Sequence, residues 1–239
     1  MSIAEKLTTI AENEQKVYDA GQKSEYDRFW DDFQQNGDRT NYTNAFSACW
    51  TAETFKPKYP IRPTNAYFMF YDNTGAGIRI DDFVEFCKEN NVVLDYSQCE
   101  NAYYGIGCLC SPHYGTLDFS KCTNLNSLFY GQQFSANSAY AVVTIDEFIS
   151  SEVTTYHATT FQHATKLANI TIKGVIAKNN FNVSYCTQLT HDSLMSIINA
   201  LKDYSGSGTT YTVTLGTTNL EKLTDEEKAI ATRKGWTLA

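Results

Sequence analysis

Three different periods of apolar and polar residues run along this chain, and each predicts a different element. Ile3, Leu7, Ile10 and Val17 fall on a four-three-seven spacing, which predicts a helix over 2–20 with a short coiled-coil seam interrupted by Glu14 and Gly21. Such a seam serves either to assemble copies of the chain or to pack the helix on its own domain. Tyr26, Phe29, Trp30 and Phe33 predict a second helix behind a capping-box sequence at Ser24–Asp27, with an aromatic face suited to closing the end of a stack. Pro57, Pro60 and Pro63 mark an extended approach to the next region. Residues 78–96 have a strand–helix–strand pattern, with Asp81/Asp82 capping a helix that carries Phe83, Phe86 and Cys87 on one face. Near the end, Asp192 is placed to cap a helix with Leu194, Ile197, Ile198 and Leu201 on one face. Tyr211–Leu215 alternates as a strand does. Thr224–Glu227 is a capping box, Gly235 stands where a helix ends, and Trp236–Leu238 predicts a last short strand.

Between these ends the dominant pattern is an internal repeat. Leu117-Asp-Phe-Ser-Lys-Cys122 restates Leu94-Asp-Tyr-Ser-Gln-Cys99, and Phe161-Gln-His-Ala164 and Val183-Ser-Tyr-Cys186 keep the frame. Weaker copies extend it to anchors at 49, 73, 99, 122, 143, 164 and 186, stepping by 21 to 26 residues. Three residues before each anchor stand Phe46, Phe70, Tyr96, Phe119, Tyr140, Phe161 and Val183. A unit this short cannot bury its apolar side alone. Units must stack so that equivalent residues form ladders, small anchors filling tight corners and aromatics forming a spine. The predicted class is α/β: a solenoid with a helical N-terminal cap (1–44), degenerate repeats (45–190) and an α/β C-terminal capping repeat (191–239).

The frame Cys-Thr-Asn-Leu-x-x-Leu preceded by Phe-x-x is filled at Phe119/Cys122/Leu125/Leu128 and at Phe161/Ala164/Leu167/Ile170. It resembles leucine-rich repeats of the BspA-like type, as does Ala45-Phe-Ser-Ala-Cys49. The chain departs from that pattern at Asp146, where a Leu is expected, and lacks the Ile-Pro strand ending. Residues 10–21 (Ile-Ala-Glu-Asn-Glu-Gln-Lys-Val-Tyr-Asp-Ala-Gly) and 223–238 resemble the ends of leucine-rich-repeat proteins encoded by phages and prophages of gut bacteria. The likeness implies a phage structural or host-interaction protein.

Composition narrows the partners. The 239 residues carry 19 Lys+Arg against 27 Asp+Glu, a net charge of −8, which argues against a general nucleic-acid surface or attachment to anionic lipid. Hydrophobic residues at 42% and aromatics at 14% exclude a disordered chain. No apolar run is long enough to span a bilayer, and the N-terminus lacks a basic segment followed by an apolar one. Synthesis in the cytoplasm without a cleaved signal peptide is therefore expected. Seven cysteines, an odd number, then fit reduced thiols. The sequons at Asn41, Asn169 and Asn182 carry no meaning without a secretory route.

Candidate chemistry is thin. Cys108, Cys110 and His113 have no fourth ligand and match no common zinc spacing, so buried structural cysteines are expected and no metal. His157 and His163 lie among Thr and Tyr hydroxyls without the sharp turn of a nucleophile, and solvent-facing ladder positions account for them. The glycine turns at 73–77 and 205–208 lack the Lys-Ser/Thr of a phosphate loop. Asp95 and Asp118 recur as repeat positions, which favours a structural role over glycoside hydrolysis. Tyr103, Tyr104, Tyr114 and Tyr130 suit a recognition surface or the spine. The expected function is a non-enzymatic protein-interaction module with no cofactor, phage- or prophage-associated. Its partner would be a protein or a cell-surface glycan, and residues 2–20 would carry any self-association. An intracellular adaptor or inhibitor of a bacterial protein, and an enzyme acting on glycans, are the alternatives.

Overall fold

The structure, a computed structural model, describes residues 41–43, 61–69, 95–106, 113–130 and 142–239, all within the compact unit Thr40–Ala239. The two helices expected before residue 41, the repeat anchors at 49 and 73, the helix expected within 78–94, Cys108, Cys110 and Tyr140 lie outside the described residues. Strands β1 (His113–Asp118), β2 (Val143–Ser150) and β3 (Leu167–Gly174) form a sheet in that order. Helix α1 (His191–Ala200), strand β4 (Tyr211–Val213), helices α2 (Thr217–Leu220) and α3 (Asp225–Arg233), and strand β5 (Trp236–Leu238) follow, β4 pairing with β5. The chain is mixed α/β, and among the described residues every strand pairing and isolated bridge is parallel. Parallel neighbours need long crossovers. Here the described parts of the β1–β2 and β2–β3 crossovers hold turns, whereas the β4–β5 crossover holds α2 and α3.

Those turns are the repeat made visible. The anchor N–H donates to the carbonyl three residues back at Cys99–Tyr96 (2.8 Å), Cys122–Phe119 (2.9 Å), Ala164–Phe161 (3.0 Å) and Cys186–Val183 (2.9 Å). A second turn follows at two of them, from Leu167 to Ala164 (3.0 Å) and from Leu189 to Cys186 (3.1 Å). The small anchors are buried, and the thiols of Cys99, Cys122 and Cys186 donate to backbone carbonyls that turn inward at the corner. Burial holds the Cys186 thiol well above its ordinary value, so it is protonated and unreactive.

Val143 departs from the expected frame. It pairs with Leu167, three residues past the anchor Ala164, so it opens β2 instead of closing a turn. Its unit has Thr154 at the corner, whose N–H donates to Ser151 O and whose hydroxyl donates to Phe119 O. Likewise Asn65 pairs with Asn101, which puts Pro63 level with Cys99 where the sequence frame had Asn73.

The aromatic spine forms, with a partly different membership. Tyr96 meets Phe119 (5.0 Å between ring centroids), Phe119 meets Phe148 (5.4 Å), Phe148 meets Phe161 (5.8 Å) and Phe161 meets Phe181 (5.4 Å). Phe148 stands in the spine between Phe119 and Phe161, turned inward by a register shift between Ile145 and Phe148 that breaks the two-residue alternation of β2. These rings are buried, each contributing about 1.5–3 kcal/mol by removal from water.

At the far side of β3 the pattern changes from strand to helix. Thr190, in extended conformation, caps α1 by accepting from the Ser193 N–H, so the cap lies two residues before the expected Asp192, which falls in the first turn. Leu194, Ile197 and Ile198 are buried as predicted. Ser193 and Ser196 face β3, and their hydroxyls accept from the Ile170 (3.0 Å) and Ile172 (2.8 Å) N–H groups. Helix α3 starts at the predicted capping box, with Thr224 and Glu227 satisfying each other's backbone N–H, and Gly235 takes a left-handed conformation just after it. No helix among the described residues is long and apolar enough to cross a membrane.

Candidate binding face

A second parallel ladder, made of asparagines, lies apart from the sheet. Asn41 pairs with Asn65, Asn65 with Asn101, and Asn101 with Asn124. Each side chain folds back: its Oδ1 accepts from the N–H two residues on, at Thr43 (3.1 Å), Tyr67 (3.1 Å), Tyr103 (3.3 Å) and Asn126 (3.1 Å). Across the ladder the Asn124 amide donates to the Asn101 Oδ1 at 3.0 Å. Asn is suited to this position because its short amide mimics a backbone turn.

The Asn turn forces the chain into an unusual conformation one residue later. Phe68, Tyr104 and Ser127, each three residues after its Asn, have φ of 52°, 54° and 51°. This left-handed region costs a residue with a Cβ about 1–2 kcal/mol, and a bulky aromatic there is an outlier. Three successive positions share it because the backbones are registered: Phe68 N–H donates to Tyr103 O (2.9 Å) and Tyr104 N–H to Asn126 O (3.3 Å).

The outcome is a row of half-exposed rings. Tyr67 stacks on Tyr103 (5.1 Å), Phe68 leans on Tyr104 (4.7 Å), Tyr104 on Tyr130 (4.6 Å), and Tyr130 meets the His163 imidazole edge-on (4.6 Å). Tyr130 is 39% exposed. Partial burial raises the Tyr104 phenol above its ordinary value, helped by the Tyr103 hydroxyl and opposed by that of Ser127. Partial burial lowers the His163 imidazole below its ordinary value. Tyr103, Tyr104 and Tyr130, three of the four tyrosines read from the sequence, come together. Tyr114 does not: it points into the core from β1. Tyr67 and Phe68 were missed. The signal was present, since Asn65-Ala-Tyr-Phe68 and Asn101-Ala-Tyr-Tyr104 are near-identical, but the step of 36 residues lies outside the period that the anchors suggested.

The other candidates resolve into structural roles. Asp95 and Asp118 each accept from the N–H two residues on, at Ser97 and Ser120 (both 2.9 Å). For Asp95, burial pushes the carboxyl up, but Ser97 and Arg62 outweigh it and hold the group below its ordinary value. The hydroxyls near His157 are engaged elsewhere: Thr160 donates to Leu125 O (2.9 Å), and Thr159 donates to Asn126 Oδ1. Burial lowers His157. His113 lies on the exposed face of the sheet, its Nε2 2.7 Å from Asp146 Oδ1. The Asp that breaks the leucine pattern thus serves the solvent side of β2. Among the described residues no three His, Cys, Asp or Glu side chains gather in a way that would hold a metal ion.

No protein-family model, curated protein or solved structure matches the chain.

Proposed function

We propose that this chain is a non-enzymatic binding module of phage or prophage origin, built as a short leucine-rich-repeat-like solenoid with a helical N-terminal cap and an α/β C-terminal cap. Recurrent turns, parallel ladders and a shared aromatic spine support the solenoid, because each is what stacked units produce. The observation that carries the binding role is the row of rings over the asparagine ladder. Backbone strain persists at aromatic residues only where the surroundings enforce it, and such sites cluster at ligand-contacting positions. A purely structural turn would place Gly or Asn at 68 and 104. Tyrosine supplies contact area and a polar tip at little entropic cost.

Binding to whole bacterial cells tests this reading. The purified full chain is mixed with cells and the fraction that sediments is measured beside a variant carrying Tyr103→Ser and Tyr130→Ser. Wild type sediments with cells and the variant stays in solution, while both melt at similar temperatures. Equal sedimentation of a folded variant removes this face from the function. Co-sedimentation of the protein with phage particles separates a virion component from an intracellular adaptor.

A further inference from the structure

We propose that Cys99 and Cys122 close into a reversible disulfide between successive coils when the chain meets a peroxide. The proposal is independent of the ring row and stands whatever that face binds. Its first support is register. Asn101 pairs with Asn124 in the parallel ladder, so Cys99 and Cys122, each two residues earlier, occupy equivalent places in neighbouring coils. Strands in such a ladder lie about 4.8 Å apart, and a disulfide takes Cα atoms about 4.4–6.8 Å apart. The second support is side-chain direction. The Cys99 sulfur lies 3.4 Å from Asn101 O and the Cys122 sulfur 3.3 Å from Asn124 O, so both thiols turn the same way. The Cys122 sulfur is also 3.5 Å from Glu100 O, the carbonyl next to Cys99 in the other coil. It thus reaches across the gap that the bond spans. Cys186, the third described cysteine, is the contrast: its sulfur lies 3.7 Å from Phe161 O, in the coil whose corner holds Ala164.

The pair is arranged for oxidation in one order. The Cys99 thiol is within hydrogen-bonding reach of the Cys122 sulfur, and that contact lowers Cys122 below its ordinary value against the opposing effect of burial. Cys122 is therefore the thiolate that attacks. Its sulfur takes one peroxide oxygen, the O–O bond breaks, and the departing hydroxide collects the Cys122 proton to leave as water. The Cys99 sulfur then attacks the sulfenic acid on Cys122. The S–S bond forms, the S–O bond breaks, and a second water carries off the Cys99 proton. Two thiols lose two electrons and one peroxide gains them. Both sulfurs are buried, so peroxide, a molecule little larger than water, reaches them during local opening of the coil. The product ties together two units that otherwise hold only through contacts between neighbours, two residues from the Asn101–Asn124 rung.

Peptide mapping of the full chain tests the pair. The reduced protein is exposed to hydrogen peroxide in native buffer, the remaining thiols are blocked with N-ethylmaleimide in urea, and the chain is cut with trypsin and a glutamyl endopeptidase. Cleavage after Glu100 and Lys121 separates Cys99 from Cys108, Cys110 and Cys122. The expected product is segment 90–100 linked to segment 122–147, a link that dithiothreitol breaks. The urea midpoint of the peroxide-treated chain rises by about 1 M, as closing a loop of this length implies, and falls back on reduction. Cys122→Ala puts into this corner the residue that already fills the corner at Ala164. It keeps every other cysteine and shows no rise. Four results overturn the proposal: both thiols recovered as maleimide adducts, either thiol linked to a different cysteine, a linked chain with an unchanged midpoint, or a rise that Cys122→Ala shares.

Discussion

Gly174 closes β3 at the point where one repeat turns over the next. Its φ is 87°, and a methyl group built there overlaps the Ser150 carbonyl oxygen of the preceding strand, the same oxygen that accepts from the Val175 N–H at 3.3 Å. Gly206 has a similar φ of 81°, but a methyl group there meets nothing within 4 Å. The pair makes an internally controlled experiment. Gly206→Ala carries the left-handed penalty of about 1–2 kcal/mol, less about 0.4–1 kcal/mol for the stiffened unfolded chain, a net loss of about 1 kcal/mol. Gly174→Ala carries the same terms and must also displace the Ser150 carbonyl, which adds about 1–3 kcal/mol by analogy with an overpacked core. The expected difference is therefore about 2 kcal/mol. In urea, with a slope of about 2–3 kcal/mol/M, the midpoint of Gly174→Ala falls nearly 1 M below that of Gly206→Ala. Equal midpoints would refute the claim that successive repeats touch backbone to backbone at this corner.

Two further outcomes are expected. The Tyr156 phenol is fully buried and has no hydrogen-bond partner, the nearby Ser150 hydroxyl donating to Val175 O instead, and burial raises the phenol above its ordinary value. Tyr156→Phe removes an orphaned group, so its thermal midpoint should match or exceed that of wild type, and a loss above about 1 kcal/mol would reveal a partner. His191 Nε2 lies 2.9 Å from Glu227 Oε1, which raises the imidazole, while the carboxylate is lowered by the Thr224 N–H first and by His191. The His191 contribution to stability is complete below its unfolded value near 6.5 and lost as pH rises through the raised folded value. The Glu227 contribution is present above its unfolded value near 4.3 and lost as pH falls through the lowered one. Glu227→Gln keeps the capping box, so the His191 titration followed by NMR should move down while α3 stays folded; an unmoved titration would mean that the pair does not form in solution.

The parts of the fold legible in the sequence were those encoded by contiguous residues. The turn at each aromatic-x-x-anchor site, the capping box at Thr224 and the glycine at 235 all depend on atoms within four residues of one another. The asparagine ladder was illegible because its members meet only through parallel pairing across 23 to 36 residues. Nothing local distinguishes Asn101 from any turn asparagine. Val143 was misplaced for the same reason. Its neighbours Tyr140 and Thr144 imitate the frame, and only pairing with Leu167 shows that it belongs to a strand. The tyrosines of the candidate face could be picked out as a group, yet their separation from Tyr114 required knowing which way β1 faces.

The two serine hydroxyls beside β3 have a consequence for how the protein behaves at high concentration. A parallel sheet is a template that any extended segment can copy, and its last strand ordinarily recruits strays. At Ile170 and Ile172 the hydrogen atoms that a newcomer would seek are already held by Ser193 and Ser196. Helix α1 therefore covers this stretch of the β3 edge, where another strand would otherwise pair. With those two N–H groups occupied, a second molecule has no free donors there to pair with, and the edge is closed to strand addition between copies.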